Sequence, residues 1–268
     1  MAAKVKKKNT KTYPIIKIFD GVKNASKDEV VAEKPLTIYL NNQKIATLMC
    51  TPQEQKYLAA GFLFSEGFIK NSGDIKRIAY NSPKEEVKVF SRKKIKISGH
   101  ILQDQTFTSG CGKNKSFLKI EDLNLLEDVL INLEFTLSSK EIIKLMKKFE
   151  LKSSVFKATG GTHSSALANK EKILLFKEDI GRHNAVDKIF GECLLKKIPL
   201  QDKLLLTSGR ISSDILLKAH RAKINLIVSR SAVTSLALEL ARRLGITLIG
   251  FARGKRMNIY TYQMRVLE

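Results

Sequence analysis

Short apolar segments alternate with helical patterns from residue 172 to residue 251, and no other feature constrains the fold of this chain as strongly. Each apolar segment is followed by a turn signal and then by apolar residues at helical spacing. Repeated strand–helix units of this kind predict a largely parallel sheet flanked by helices, and therefore an α/β fold. The predicted strands are 172–176, 203–207, 224–228 and 246–251, and the predicted helices are 184–195, 213–222 and 234–244.

The N-terminal half has a pattern that is typical of a smaller β-rich unit. Residues 30–40 and 43–49 are rich in β-branched and apolar residues, and the turn signal Asn41-Asn42 between them predicts a hairpin. Further short strands are expected at 87–90 and 95–97, and the polar, glycine-containing stretch 103–115 is expected to be a loop.

Two capping patterns predict helix starts and divide the chain. Thr51 is the expected N-cap of the first helix, with Pro52 and Glu54 completing the pattern. Ser138 with Glu141 opens the second, whose apolar face is Ile142, Leu145, Met146 and Phe149. We expect a basic tail at 1–12, a β-rich α+β domain at 13–135 and an α/β domain at 136–268.

The charge of the chain suggests an anionic ligand without identifying it. The 268 residues include 48 Lys and Arg against 26 Asp and Glu, which gives a net charge of +22. A basic nucleic-acid-binding protein is one alternative, but aromatic residues make up only 7% of the chain and Trp is absent, so a base-stacking platform is not expected. No apolar run approaches the ~20 residues of a membrane span, and no secretory signal is recognisable. The cytoplasm is the expected compartment.

An arginine follows each predicted strand of the C-terminal half, flanked by Gly, Ser or Ala. The carboxyl ends of parallel strands meet at one edge of a sheet, where ligands commonly bind. The guanidinium group offers forked donors that suit phosphate oxygens, so this edge predicts a nucleotide or pyrophosphate site. The alternative is that the arginines pair with carboxylates such as Glu178 and Asp179. The four arginines are Arg182, Arg210, Arg230 and Arg253.

Cys111 is the candidate nucleophile among the three cysteines. It lies between two glycines, and Lys113 and Lys115 follow it. Nearby ammonium groups favour a thiolate, and a glycine loop lets the sulfur travel, which are the requirements of a sulfur carrier. Cys50 and Cys193 lie in apolar segments and are expected in the core.

The histidines do not predict a metal site, because no pair has the spacing of a zinc motif. His183 stands at a predicted helix start beside Arg182 and is a candidate ligand-binding residue. His163 follows a diglycine turn and is expected to be a polar contact at a helix end.

Several strings, taken together, resemble the formate dehydrogenase accessory sulfurtransferase family known as FdhD. They occur in order over nearly the whole chain, and the string at 178–188 is the most specific. The strings are Gly61-Phe62-Leu63-Phe64-Ser65-Glu66-Gly67, Ser109-Gly110-Cys111-Gly112, Thr159-Gly160-Gly161-Thr162-His163, Glu178-Asp179-Ile180-Gly181-Arg182-His183-Asn184-Ala185-Val186-Asp187-Lys188, Thr207-Ser208-Gly209-Arg210 and Gly250-Phe251-Ala252-Arg253-Gly254.

The resemblance implies a cytoplasmic homodimer whose three-layer C-terminal domain resembles the cytidine deaminase fold. It also implies a cysteine desulfurase that supplies persulfide sulfur to Cys111, and transfer to the bis(molybdopterin guanine dinucleotide) molybdenum cofactor for formate dehydrogenase. Asn114 stands where the family's loop commonly has a second cysteine, so a single-persulfide relay is expected. The cofactor would contact Phe251, Ala252, Arg253, Gly254, Lys255 and Arg256, together with Arg182, His183, Arg210 and Arg230.

The deaminase-like fold also raises the alternative of a zinc hydrolase. That chemistry needs His-x-Glu and Pro-Cys-x-x-Cys strings. Ser165 stands two residues after His163, and Asn114 stands three after Cys111, so neither string is present at these positions.

Overall fold

A six-stranded sheet forms the centre of the C-terminal half in the computed structural model, which describes residues 9–93, 106–107 and 135–268. The spatial order is β10-β9-β11-β12-β13-β14. The pairs β11–β12 and β12–β13 are parallel, whereas β9 is antiparallel to both of its neighbours and β14 is antiparallel to β13. The sheet is therefore mixed, and the prediction of a largely parallel sheet is wrong for β9 and β14. The strands are β9 (His163–Ala168), β10 (Ile173–Asp179), β11 (Leu204–Thr207), β12 (Leu226–Ser229), β13 (Thr247–Arg253) and β14 (Arg256–Ile259).

Helices cover both faces of this sheet, so the C-terminal half has three layers. On β11, Leu204 and Leu206 face α2, whereas Leu205 faces the opposite layer. This alternation follows from the two-residue period of a strand, and it explains why β11 consists of apolar residues throughout. The helix on the first face is α2 (Ser139–Lys152), and those on the second are α4 (Arg182–Lys196), α5 (Ser213–Arg221) and α6 (Ser235–Arg243).

The start of α2 confirms the predicted capping box. The Ser138 hydroxyl oxygen accepts from the Glu141 N–H at 3.2 Å, and the Glu141 carboxylate accepts from the Ser138 N–H at 2.6 Å. All four residues of the predicted apolar face are buried against the sheet. A short helix, α3 (Ser154–Thr159), follows, and β8 (Leu137–Ser138) pairs with the C-terminal β15 (Val266–Leu267).

The N-terminal half contains a five-stranded sheet in the order β5-β6-β3-β4-β7. The β3–β4 hairpin confirms the prediction of a turn at Asn41-Asn42. One helix, α1 (Gln55–Ser65), packs on this sheet over an apolar core. The strands are β3 (Lys34–Leu40), β4 (Gln43–Cys50), β5 (Ile75–Asn81), β6 (Glu86–Ser91) and β7 (Thr106–Phe107). The segment 95–97, predicted as a strand, lies outside the described residues.

The predicted N-cap of α1 is wrong. The helix begins at Gln55, and its N-cap is Glu54, in the left-handed region with φ 62°. The Thr51 hydroxyl instead donates to the Asp179 carboxylate at 2.9 Å. A buried carboxylate in the other half of the chain therefore takes the hydroxyl that local capping would have used.

An additional hairpin precedes the N-terminal sheet. Strands β1 (Thr10–Phe19) and β2 (Val22–Val31) pair along their whole length, so residues 10–12, which were expected in a basic tail, belong to a strand instead. Asp20 and Gly21 form its turn, with φ values of 47° and 78°. Both residues lie in the left-handed region that a two-residue hairpin turn requires.

The two halves of the chain share a close helix–helix contact between α1 and α4. A Cβ on Gly61 would lie 1.7 Å from the Asp187 carbonyl oxygen, and a Cβ on Gly191 would lie 1.8 Å from the Tyr57 carbonyl oxygen. Only glycine allows the two backbones to approach this closely. The contact places the start of α4, with its arginine, at a fixed position relative to the N-terminal sheet. In the part of the chain described, no helix is both long and apolar enough to cross a bilayer.

Candidate functional site

Four strands of the C-terminal sheet end at one edge, and each brings an arginine there. Strands β10, β11, β12 and β13 run in the same direction, because β9 is antiparallel to both β10 and β11. Arg182 begins α4 after β10, and His163 begins β9 at the same edge. Along the edge the order is therefore Arg182, His163, Arg210, Arg230 and Arg253, which we call the arginine edge. The predicted placement of the four arginines at a common edge is correct, although the sheet is mixed.

The turn that carries Arg182 is held by Asp179, which is completely buried. Its carboxylate accepts from the Gly181 N–H at 3.0 Å and pairs with the Lys188 ammonium at 2.7 Å. A carboxylate that receives this many donors is satisfied without an arginine. Glu178 accepts from the backbone N–H of Phe156 at 2.9 Å, so both carboxylates have structural contacts.

His163, Ser208 and Arg182 meet at the end of the edge formed by β10, β9 and β11. The His163 Nδ1 lies 3.4 Å from the Ser208 Oγ, which accepts from the Ser164 N–H at 2.9 Å. A Cβ on Gly209 would lie 2.9 Å from the Arg182 Cβ, so glycine is what allows Arg182 to cross this loop. Burial, together with the nearby charges of Arg182 and then Arg210, lowers the pKa of His163. A neutral imidazole among cations leaves the edge electropositive without adding another charge.

Arg230 has a partner at the edge. Its Nε lies 3.1 Å from the Glu150 Oε1, and both side chains are partly exposed. Glu150 lines two small cavities, one of about 200 Å³ beside Ser208 and Arg230 and one of about 360 Å³ beside Arg253 and Lys255. The Glu150 carboxylate therefore lies between these two cavities at the arginine edge.

The predicted cofactor segment 251–256 forms the last part of the edge, at the turn between β13 and β14. Arg253 and Arg256 are exposed and lie opposite each other, whereas Ala252 is completely buried beneath α2. Phe251 has a left-handed φ of 52° at a bulge, and its N–H donates to the Ser231 carbonyl at 3.0 Å. The segment thus divides into basic side chains at the surface and apolar residues that hold the bulge.

The family model described as the FdhD/NarQ family matches residues 31–267. The chain belongs to the FdhD/NarQ family. Two relatives named sulfur carrier protein FdhD are similar to this member: that of Bacillus pumilus is 39% identical over 93% of this chain and 94% of its own, and that of Geobacillus kaustophilus is 37% identical over 96% and 97%.

A solved structure supports the same family. It is described as a "putative formate dehydrogenase accessory protein" from Desulfotalea psychrophila and superposes with a TM-score of 0.79. Its sequence is 28% identical to this family member, and the match covers 96% of this chain and 99% of that one.

The remaining site predictions divide between the edge and the interior of this FdhD/NarQ protein. His183 is next to Arg182, and burial is the main cause that holds its pKa well below the usual value, followed by the charge of Lys218. Asp187 and Lys218 form a buried ion pair at 2.6 Å, so the 178–188 string contributes to the core as well as to the edge. Cys111 lies outside the described residues. Within residues 9–93 and 135–268, no three His, Cys, Asp or Glu side chains converge on a possible metal position.

Two residues at the edge were not predicted as site residues from the sequence. The first is His163, which was expected at a helix end and instead begins β9, and the second is Glu150 of α2. The sequence around His163 contained a signal for its position. Gly160, which has a left-handed φ, marks a turn shortly before His163, and the short buried strand β9 begins at His163 itself. Glu150 has no signal in the sequence, since only packing of α2 brings it to the edge.

Proposed function

We propose that this chain is a sulfur carrier that serves formate dehydrogenase. Cys111 takes persulfide sulfur from a cysteine desulfurase and passes it to the bis(molybdopterin guanine dinucleotide) molybdenum cofactor, which is bound as a substrate. The names of the curated relatives and of the solved structure support the sulfur-carrier role and the link to formate dehydrogenase.

The arginine edge is the observation that carries the cofactor part of this proposal. Neighbouring strands are about 4.8 Å apart, and four such spacings separate β10 from β13, so Arg182 and Arg253 are attached about 19 Å apart. One phosphate group cannot contact both ends of such a row. An extended ligand with several phosphates fits it, and a guanine dinucleotide has that shape and charge.

The two cysteines within the described residues support Cys111 as the sulfur-bearing thiol. Cys50 and Cys193 are free and buried, and burial raises the pKa of each thiol to about 12. Both therefore stay protonated at neutral pH, where a thiol is a poor nucleophile. Lys113 and Lys115 follow Cys111 in the sequence and favour its thiolate.

Intact-mass measurement after incubation with a cysteine desulfurase and cysteine tests the relay. We expect the wild-type chain and the Cys50→Ser and Cys193→Ser variants to gain one sulfur atom, and Cys111→Ser to gain none. Maturation of formate dehydrogenase should be lost only in Cys111→Ser. A Cys111→Ser chain that still gains sulfur and still supports maturation would contradict the relay.

The other parts of the proposal follow from the same family resemblance. We place the protein in the cytoplasm as a homodimer, with a C-terminal unit of the cytidine deaminase type, for which the three layers and the mixed sheet are supporting features. Sedimentation velocity tests the dimer. The nucleic-acid alternative predicts instead a strongly salt-dependent affinity for RNA that does not depend on Cys111.

A further inference from the structure

A cavity of about 600 Å³ lies at the end of the sheet opposite the arginine edge. Two of its lining residues, Lys203 and Asn225, directly precede β11 and β12, which places it at the amino ends of these strands. Lys203 and Ser208 are five residues apart along an extended strand, or about 17 Å. A ligand in this cavity would therefore be separate from one at the arginine edge.

The inner wall of the cavity is apolar and partly aromatic. Phe64 at the end of α1 and Phe190 of α4 lie edge to face with ring centroids 6.2 Å apart. Cys193 and Ala222 complete this wall. Ligand sites in proteins are mostly apolar and measure about 300–1,000 Å³, so the size and the lining are those of a site for a small organic molecule.

The remaining lining is strongly basic. Among the described residues it contains one carboxylate, Asp202, and six cationic residues, namely Lys70, Lys197, Lys203, Arg221, Lys223 and Arg265. Part of this charge lies at the C-terminal ends of α4 and α5, where cations favour the helix dipole. That role suits Lys197, the C-cap of α4, and Arg221, the last residue of α5, but it does not require Arg221 to line an apolar cavity.

The guanidinium group of Arg221 packs against Gly67, where a side chain would not fit. Gly67 has a left-handed φ of 84°, and a Cβ there would lie 2.1 Å from the Arg221 Nη1. Gly67 is the last residue of the Gly61–Gly67 string, so this string helps to position an arginine that lines the cavity. Within the described residues the buried Arg221 Nε has no hydrogen-bond partner, and burial lowers the pKa of the guanidinium group. The Glu66 carboxylate offsets part of this effect by raising the same pKa, and an anionic group in the cavity would stabilise the guanidinium group further.

We propose that this cavity is a second ligand site, which takes an organic anion with a flat apolar body. The body lies against the wall formed by Phe64 and Phe190, and the anionic group faces Arg221. The site is separate from the arginine edge, because none of the four arginines of the edge is among its described lining residues.

Fluorescence titration with 8-anilinonaphthalene-1-sulfonate tests this site, because the probe combines a flat apolar body with one anionic group. We expect saturable binding of one probe per chain, with uncharged 1-anilinonaphthalene binding about ten-fold more weakly, the equivalent of ~1.4 kcal/mol. Arg221→Gln should remove this preference for the anion. Ser72→Trp, at a half-buried lining position, should obstruct binding of both compounds.

Two control variants separate the cavity from other surfaces. Lys148→Gln removes an exposed charge on α2, on the other face of the sheet, and Phe19→Ser removes the most exposed aromatic ring of the β1–β2 hairpin, which is 77% exposed. Both should bind the probe as the wild type does, and a guanine nucleotide should not displace it. Equal affinity for the charged and uncharged compounds, unchanged binding in both Arg221→Gln and Ser72→Trp, or loss of binding in Phe19→Ser would overturn the proposal.

Discussion

Removal of one partner from the buried ion pair between Asp179 and Lys188 should cost more stability than removal of one partner from an exposed pair among the described residues. The two charged atoms are 2.7 Å apart, and both side chains are 0% exposed. Asp179 also accepts from Thr51 and Asn184 at 2.9 Å each, and the Lys188 ammonium donates to the Thr51 hydroxyl oxygen at 2.7 Å. The network joins β4, β10 and α4.

The Asp179→Ala variant leaves the Lys188 ammonium buried without its carboxylate. Removal of one partner from a buried pair costs about 3–5 kcal/mol, out of a total free energy of unfolding of about 5–15 kcal/mol. On these ranges the variant loses roughly a fifth of its stability at the least and most of it at the other extreme. The matched control is Lys34→Ala, which removes a partly exposed pair with Glu85 at 2.6 Å and should cost about 1 kcal/mol or less.

Urea unfolding followed by circular dichroism measures these differences, provided that the m-value is unchanged. The double variant Asp179→Leu/Lys188→Met should be more stable than Asp179→Ala, because it removes both buried charges. A loss below about 1 kcal/mol in Asp179→Ala, or a double variant that is no more stable than Asp179→Ala, would refute the reasoning.

Three further predictions concern the arginine edge. Arg253→Ala should weaken binding of a guanine nucleotide by about 1.5–3 kcal/mol in calorimetry, the value of one charge-assisted hydrogen bond; unchanged affinity would remove this arginine from the site. Glu150→Gln should strengthen the same binding by up to about 1 kcal/mol, because it releases Arg230 from a partly exposed ion pair; weaker binding would contradict this role. Acidification from pH 7.5 to 5.5 should lower the melting temperature. His163 and His183 have lowered pKa values in the folded chain. In the unfolded chain the same two imidazoles take up protons near pH 6.5, so a lower pH favours the unfolded state. The His163→Gln/His183→Gln variant should lose less stability over this range, and an unchanged pH dependence would contradict the assignment.

The sequence predicted the C-terminal strands and helices well because their patterns are local. Each strand there is an apolar run between turn signals, and each helix has a clear apolar face. The pattern of apolar residues does not show, however, whether a strand runs parallel or antiparallel to its neighbours in the sheet. Strand β9 enters the sheet between β10 and β11 and was missed, because His163–Ala168 is short and the diglycine turn before it led to the expectation of a helix end at His163.

The β1–β2 hairpin was missed although the sequence contains its signal. Asp20-Gly21 is a preferred pair for a two-residue hairpin turn, and apolar residues flank it. The basic start of the chain favoured a tail, and the apolar residues of this hairpin, such as Ile16 and Ile18, are exposed rather than buried. A strand is normally recognised because one of its faces is buried, and the β1–β2 hairpin has no such buried face.

Partners far apart in the sequence explain the other difference between expectation and structure. Thr51 is a good capping residue, and nothing within its own segment shows that a carboxylate at position 179 will take its hydroxyl. In the same way, Glu150 reaches Arg230 only because α2 packs over the ends of the strands. Local patterns predict elements, whereas pairing between elements depends on the assembled core.

The 178–188 string combines residues with different roles, and one pair of variants separates them. Arg182 lies at the arginine edge, whereas the Asp187 carboxylate accepts from the Ser65 hydroxyl at 2.6 Å and pairs with Lys218 in the interior. Arg182→Gln should weaken binding of a guanine nucleotide and leave the urea midpoint nearly unchanged, because a partly exposed side chain contributes little to the core.

Asp187→Asn should do the reverse, because it leaves the buried Lys218 ammonium without a full counter-charge and costs stability, while the edge itself keeps its charge. Calorimetry below the unfolding range of both variants, combined with urea unfolding, gives the two readouts. If Arg182→Gln destabilises the fold as much as Asp187→Asn and binds nucleotide as the wild type does, then the string acts on the core alone, and the ligand-binding role of its arginine is wrong.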